Sequence, residues 1–467
     1  MKKFNYSLFF SLLLLVLWNS GSLMAQSVTG SWQGNLSFRG SSIPLLFHLN
    51  EEEGKLQATV DSPAQGAKGL PVDSVLLKGD SLILRMTRMG VTYSGKLSKD
   101  ADSLSGHWKQ GGFSIPLIME KKEVVSLQRP QEPSTPLPYL SQEVNFENKA
   151  AGIKLAGTFT RPSAEGQYPA VVLVSGSGPQ DRNEQIMGHQ PFLVLADYLT
   201  RQGFAVLRYD DRGFGQSEGA FIKANTEDFA SDAAAAVDYL QYRPDVKAKH
   251  IGLIGHSEGG IIAPMVAAKG KPVSFIVMLA GPALPGHELI LEQGETLLRQ
   301  QGATPTEIES YRKAQGELLQ VIRNEKDSIT AAQQLEQLLL ATYEQDRQAS
   351  TPSSAQVKAQ VAQLLSPWYR YFITYDPAPL LRQLEIPTLA LFGGKDVQVP
   401  AKANIEALRA IENENIELKS FPQLNHLFQP ATTGLPNEYG QIATTIDPLA
   451  LEYISSWIEA QVPDTEE

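Results

Sequence analysis

The sharpest chemical signal in this 467-residue chain is ten residues long: Ile251-Gly252-Leu253-Ile254-Gly255-His256-Ser257-Glu258-Gly259-Gly260. An apolar run feeds Gly-x-Ser-x-Gly, and the helical stretch Ile261 to Ala268 follows, which is the strand–turn–helix setting a nucleophilic serine requires. Glycines at 255 and 259 allow a sharp turn and a close helix–strand approach, so the Ser257 hydroxyl projects from the end of a sheet. The competing reading is a purely structural glycine-rich turn.

A serine hydroxyl is a weak nucleophile until a neighbouring base takes its proton, and that base needs a third group to fix its tautomer and orientation. After a serine in this setting the chain should supply an acid and then a histidine. The apolar strand Pro387-Thr388-Leu389-Ala390-Leu391-Phe392 ends in Gly393-Gly394-Lys395-Asp396, placing Asp396 just past a strand end. His426 follows another short strand, Ile416 to Phe421. Elimination points to the same histidine. Of the seven, His48 and His107 belong to an N-terminal β region, and His189 and His250 precede the serine. His256 is its neighbour pointing elsewhere, and His287 opens an insertion before the acid. Acyl transfer develops negative charge on the former carbonyl oxygen, so two preorganised backbone N–H groups are needed. Glu258 supplies one and Ser177, in Val174-Ser175-Gly176-Ser177-Gly178-Pro179, the other, with Gly176 as second choice. The Glu258 side chain is left between a contact to a lid or substrate and a structural ion pair.

These residues need a scaffold. From Gly30 to about Glu120, short alternating apolar runs separated by Gly, Asp, Asn and Ser predict a small antiparallel sandwich or barrel. Trp32 and Trp108 sit near its two ends, either closing its core or stacking on a ligand; large aromatics mostly serve packing. Residues 121–140 carry Pro130, Pro133, Pro136 and Pro138, the composition of a stiff linker. Beyond it, continuously apolar strands alternate with helical stretches, which predicts an α/β fold with a mostly parallel sheet buried on both faces. The alternation breaks between about 285 and 375, where apolar residues recur at helical spacing. This predicts several amphipathic helices inserted between two strands, a candidate lid over loops that leave the strands' carboxyl ends.

Met1-Lys2-Lys3, the apolar run Leu8 to Leu17 and the small or polar residues before Ala25 read as a secretory signal peptide of residues 1–25. The run is about ten residues, short of the ~20 that span a bilayer, so no membrane span is expected after cleavage. The predicted organisation is then a β domain over 26–120, the linker over 121–140 and an α/β domain over 141–467. A formal net charge of −11, from 40 Lys+Arg against 51 Asp+Glu, argues against a nucleic-acid partner. The chain has no cysteine, which excludes thiol nucleophiles, thiolate metal sites and a lipidated-cysteine anchor. The expected location is the periplasm or the medium.

Residues 141–460 resemble the α/β-hydrolase superfamily, particularly its bacterial secreted esterases related to the serine-aminopeptidase-like hydrolases. The resemblance is carried by Gly176-Ser177-Gly178-Pro179-Gln180-Asp181-Arg182-Asn183, Tyr209-Asp210-Asp211-Arg212-Gly213-Phe214-Gly215-Gln216-Ser217, Gly255-His256-Ser257-Glu258-Gly259-Gly260, Lys395-Asp396-Val397-Gln398-Val399-Pro400 and Asn425-His426. It implies the triad Ser257, Asp396 and His426, acting on a small-molecule carboxylic ester without metal or organic cofactor. The oxyanion loop lacks the His-Gly-Gly stretch of typical lipases. Asp210-Asp211-Arg212 either orients substrate or holds neighbouring loops together. Gln180, Asp181 and Arg182 beside the oxyanion loop, and Trp368 and Tyr371 closing the insertion, are candidate substrate contacts, with packing as the alternative. The expected reaction is ester hydrolysis through an acyl-enzyme. Its rivals are a peptidase on the same triad, a thioesterase and a non-catalytic binding protein.

Overall fold

A computed structural model describes residues 28–38, 41–52, 54–62, 67–110, 113–121, 128–345 and 352–463. The predicted signal peptide lies outside the described residues.

The N-terminal region is one antiparallel nine-stranded sheet. Its strands are β1 (Gly30–Phe38), β2 (Ser41–Glu52), β3 (Lys55–Ser62), β4 (Ala67–Pro71), β5 (Ser74–Lys78), β6 (Ser81–Met86), β7 (Val91–Leu97), β8 (Ser103–Gln110) and β9 (Phe113–Lys121). The spatial order is β4-β3-β2-β1-β9-β8-β7-β6-β5, so the first strand pairs with the last and the sheet curls until β5 approaches β3. This is a half-barrel. Trp32 and Trp108 both face its core, with Phe47 and Tyr93 between them, and the Trp108 ring stacks on Phe47. The Trp32 indole N–H donates to the Val28 carbonyl at 2.8 Å, so its one polar atom is satisfied inside. Both tryptophans therefore serve packing.

The α/β domain has an eight-stranded sheet of β10 (Leu140–Asn148), β11 (Ile153–Arg161), β12 (Tyr168–Val174), β13 (Ala205–Tyr209), β14 (Val246–His256), β15 (Phe275–Leu279), β16 (Thr388–Gly393) and β17 (Ile416–Phe421). The order is β10-β11-β13-β12-β14-β15-β16-β17; β10 and β11 are antiparallel to their neighbours and the rest run parallel. Every residue of β13, β15 and β16 is buried, as continuous apolar runs demand of strands covered by helices on both faces. The predicted insertion forms helices Gly286–Gln300, Pro305–Asn324, Ser328–Gln345, Ser354–Leu364 and Pro367–Thr374 between β15 and β16.

The proline-bearing segment leading into β10 does not hang free. The Arg129 guanidinium donates to the carbonyls of Met187, Gly188, Gly440 and Ile442. Gln131 donates to the Ile446 carbonyl and accepts from the Thr445 and Ile446 amides. Proline stiffness is thus supplemented by side chains that fasten the segment's C-terminal half to the α/β domain.

Candidate active site

β14 ends at His256, and Ser257 turns the chain into helix Gly259–Ala268 with φ of +53°, a conformation that costs a non-glycine residue energy and persists only where its surroundings enforce it. Two contacts enforce it. A Cβ on Gly255 would lie 1.9 Å from the Gly259 carbonyl oxygen, and one on Gly259 would lie 2.1 Å from the Val174 carbonyl oxygen. Only glycine at both positions lets the helix start so close to β12 and β14. The Ser257 amide is anchored to the Leu279 carbonyl at 2.8 Å, leaving the side chain to project beyond the sheet.

The loops after β16 and β17 bring the other two residues together. His426 Nδ1 lies 2.7 Å from Asp396 Oδ2, with both side chains almost wholly buried. Asp396 Oδ1 accepts from the Gln398 and Val399 amides at 2.7 and 2.9 Å, which aims the carboxylate. An Nδ1–H on His426 donating to that carboxylate leaves Nε2 as the basic nitrogen. Ser257 and His426 line the same cleft, of about 220 Å³, with Ser177, Gln180, Glu184, His256, Glu258, Gln293 and Gln398 as its other polar residues. Its apolar wall comes from Ile186, Pro282, Leu289, Ile290, Phe372 and Leu427, with Trp368 at the lid side.

The loop after β12 passes tightly over the serine. A Cβ on Gly176 would sit 3.1 Å from that of Ser257. The Gly176 amide, however, donates to Glu184 Oε1 at 2.8 Å and is unavailable to an oxyanion. Among the described residues no backbone carbonyl takes the Ser177 or the Glu258 amide. Asp211 grips this loop from both flanks: its carboxylate accepts from the Ser175 hydroxyl at 2.6 Å and the Gln180 amide at 2.9 Å. Burial pushes the Asp211 carboxyl well above its usual range. Arg212 pairs with Asp232 at 2.6 and 2.9 Å. The Asp210-Asp211-Arg212 cluster therefore holds loops together.

The candidate substrate contacts divide. Gln180 and Trp368 line the cleft; Asp181, Arg182 and Tyr371 do not. Asp181 accepts from the amides of Asn183 and Gln185, forming the turn that follows it. Arg182 donates through Nε and Nη2 to Asp210 at 3.0 and 2.8 Å and also pairs with Glu143. Burial works against the Asp210 charge, but Arg182 and two amides outweigh it and hold the carboxyl below its usual value. Tyr371 stacks on Tyr375.

Three features lie beyond what local spacing reveals. The Glu258 carboxylate is buried, which raises its pKa, and all its partners are neutral: the Thr226 hydroxyl at 2.7 Å, the Ser177 hydroxyl and the Trp368 indole N–H at 2.9 Å. It is thus a contact to the lid and not an ion pair. Its carboxylate also ties Ser177 to the residue that follows Ser257. His256 turns away from the cleft's reacting centre toward Glu184, with Nδ1 2.8 Å from Glu184 Oε1, and its Nε2 lies 3.0 Å from the His426 carbonyl. Burial disfavours charge on this imidazole, but the Glu184 carboxylate outweighs it and raises the pKa above the ordinary value. Glu184 itself has φ of +52°. His256 belongs to the serine motif, whereas nothing in the spacing marks Glu184, 72 residues away.

Residues 189–429 match the family model described as "Serine aminopeptidase, S33". Esterase EstD of Thermotoga maritima is 29% identical over 328 residues, covering 69% of this chain and 70% of that protein. YtaP of Bacillus subtilis is 32% identical over 160 residues, covering 30% of this chain and 52% of that one. Among solved structures, the Pyrococcus furiosus esterase Pf2001 aligns with 72% of this chain and 97% of its own, at 15% identity and a TM-score of 0.43. With more than half of its length matched by the family model, and its mixed sheet, helical insertion and serine turn arranged as described, the chain belongs to the serine-aminopeptidase-like family of α/β-hydrolases.

Proposed function

We propose that this protein is a serine carboxylesterase acting on neutral, small-molecule esters. The observation that carries the reading is the Asp396–His426 pair, 2.7 Å apart, opening on the same cleft as a serine held at positive φ beside two amides without backbone partners. Ser257 Oγ attacks the ester carbonyl while His426 Nε2 takes its proton, and the Ser177 and Glu258 amides receive the developing oxyanion. His426 then protonates the departing alcohol. Water, deprotonated by the same nitrogen, attacks the acyl-enzyme and frees the acid and Ser257. Asp396 holds the imidazole in the required tautomer and stabilises its transient charge. The cleft lining named above includes no lysine or arginine, which fits a neutral acyl group and a neutral alcohol.

A peptidase on the same triad is the second reading, favoured by the description of the family. Cleavage next to a free amino terminus calls for a carboxylate to hold the ammonium group. The two carboxylates lining the cleft, Glu184 and Glu258, are already engaged by protein donors, which supports the ester reading. A panel of aryl esters of increasing acyl length, run beside aminoacyl amides, tests the choice: ester turnover exceeding amide turnover by orders of magnitude is expected, and the reverse overturns it. We also propose export, resting on residues 1–25; N-terminal sequencing of protein from cell fractions should find a start near Gln26 outside the cytoplasm.

A further inference from the structure

We propose that Glu184 and His256 form a second carboxylate–imidazole pair that positions both halves of the reacting centre, the oxyanion loop on one side and the loop carrying His426 on the other. The inference rests on the reading of Ser257 and His426 as nucleophile and base. A single oxygen, Glu184 Oε1, accepts from the Gly176 amide next to Ser177 and also meets His256 Nδ1, both at 2.8 Å. The other imidazole nitrogen, Nε2, faces the main-chain carbonyl of His426 at 3.0 Å, and the two histidine rings lie 4.7 Å apart. One side-chain pair thus bridges three segments separated by 72 and 170 residues in sequence: the loop after β12, the residue before the nucleophile and the histidine loop.

The hydrogen bonds dictate the chemistry of the pair. A carbonyl oxygen only accepts, so His256 Nε2 must carry a hydrogen. Nδ1 then needs either its own hydrogen to give to a carboxylate or a proton held on the carboxyl. Both arrangements place a proton between Nδ1 and Oε1 while Oε1 still accepts from Gly176. A glutamine at 184 cannot do this. Its oxygen has no proton to offer Nδ1, and its NH2 group would face the Gly176 N–H donor. Glu184 Oε2 is buried with no hydrogen-bond partner among the described residues, so the balance of charge at this carboxylate falls on His256. A buried acid held at φ of +52° with one oxygen unpartnered costs stability, and such a cost is typical of residues retained for the geometry of a site.

Glu184 and His256 are positioning residues: neither needs to touch the reacting atoms for its loss to matter, since displacements of about 1 Å at a reacting centre cost up to about 10²-fold in rate. The test compares the parent with E184Q and with E184L/H256F, which replaces the whole pair by apolar side chains of similar bulk. Each is followed by thermal melting, by fluorophosphonate titration of reactive serine and by kcat and KM for one aryl ester. The expected result is a kcat per titrated site lowered by roughly 10- to 100-fold in both variants. KM should stay within about threefold, and the double variant should be no worse than E184Q because the pair acts as a unit. The proposal is overturned by kcat per site within threefold of the parent, by losses that merely follow the fraction of titratable serine, or by failure of both variants to melt as the parent does. If the parent itself is not labelled at Ser257, the underlying reading of the nucleophile fails instead.

Discussion

Two Ser–His–Asp groups stand among the described residues: the one in the half-barrel is hydrogen-bonded throughout, whereas in the α/β domain His426 bonds to Asp396 and Ser257 shares a cleft with His426. In the half-barrel, Ser31 Oγ lies 2.9 Å from His48 Nδ1, and His48 Nε2 lies 2.9 Å from Asp61 Oδ2. Taken as hydrogen-bond connectivity alone, the half-barrel's group is the more complete of the two. The surroundings differ. Ser31 and His48 are direct cross-strand partners on the face opposite Trp32 and Phe47, within a regular ladder. There the amides point along the sheet toward neighbouring strands, so none can converge on an oxygen beside the hydroxyl. His48 and Asp61 keep 26% and 15% of their side-chain exposure, against 5% and 0% for His426 and Asp396. Ser257 stands at positive φ on a strand-to-helix turn with amides beside it and a cleft before it. A chain of three side chains is cheap for a sheet to assemble; strain, converging donors and shelter from water are not.

The largest expected effect sharpens that contrast. S257A should lower kcat/KM for an aryl ester by about 10⁴-fold or more, while S31A leaves it unchanged. Mass spectrometry after fluorophosphonate treatment should place the adduct on Ser257 alone; an adduct on Ser31 would break the distinction. D396N should cost about 10⁴-fold in kcat by freeing the wrong His426 tautomer, and D61N should cost nothing measurable. G255A forces a Cβ to within 1.9 Å of the Gly259 carbonyl oxygen, so it should destroy the turn. Loss of fluorophosphonate labelling together with a lowered melting temperature is the expected reading, and the half-barrel core should remain unaffected by it. W368F removes the lid's indole donor from the buried Glu258 carboxylate. A penalty of about 1–3 kcal/mol is expected, read as up to roughly a hundredfold loss in kcat/KM at unchanged half-barrel structure.

The smallest effect concerns pH. The Asp210 carboxyl is held below its ordinary value of 3.8, chiefly because Arg182 and two amides overcome its burial. Its contribution to stability is therefore complete above about 3.8 and is lost as pH falls through the lower folded value. Denaturation curves of D210N should lie below those of the parent at neutral pH and converge with them in acid. Equal separation at all pH values would assign the loss to packing.

Much of the fold is legible in the primary structure. The apolar runs at Ala170-Val171-Val172-Leu173-Val174 and Phe275-Ile276-Val277-Met278-Leu279 become central strands because burial on both faces leaves no place for polar residues. Strands β4, β5 and β8 are harder to see. β5 (Ser74–Lys78) is exposed at four of its five positions, so the alternation that marks a half-buried strand is nearly absent. In the site, the serine turn is local, and the acid and histidine follow from chain order. Arg182 resisted such reading because its partner, Asp210, is fixed by the pairing of two loops and not by anything near residue 182.

The order of Ser257, Asp396 and His426, the two glycines that permit the turn and the strand–helix alternation beneath them are written in short segments, because each depends on backbone sterics or on apolar periodicity over a few residues. The partners of the buried polar groups are not. Glu184 with His256 and the Gly176 amide, Thr226 and Trp368 with Glu258, and Arg129 with the carbonyls near residue 440 meet only when distant loops close over one another. Which loop supplies the donor is then decided by the need to satisfy every buried charge and polar group, a condition that exists only once the chain has folded.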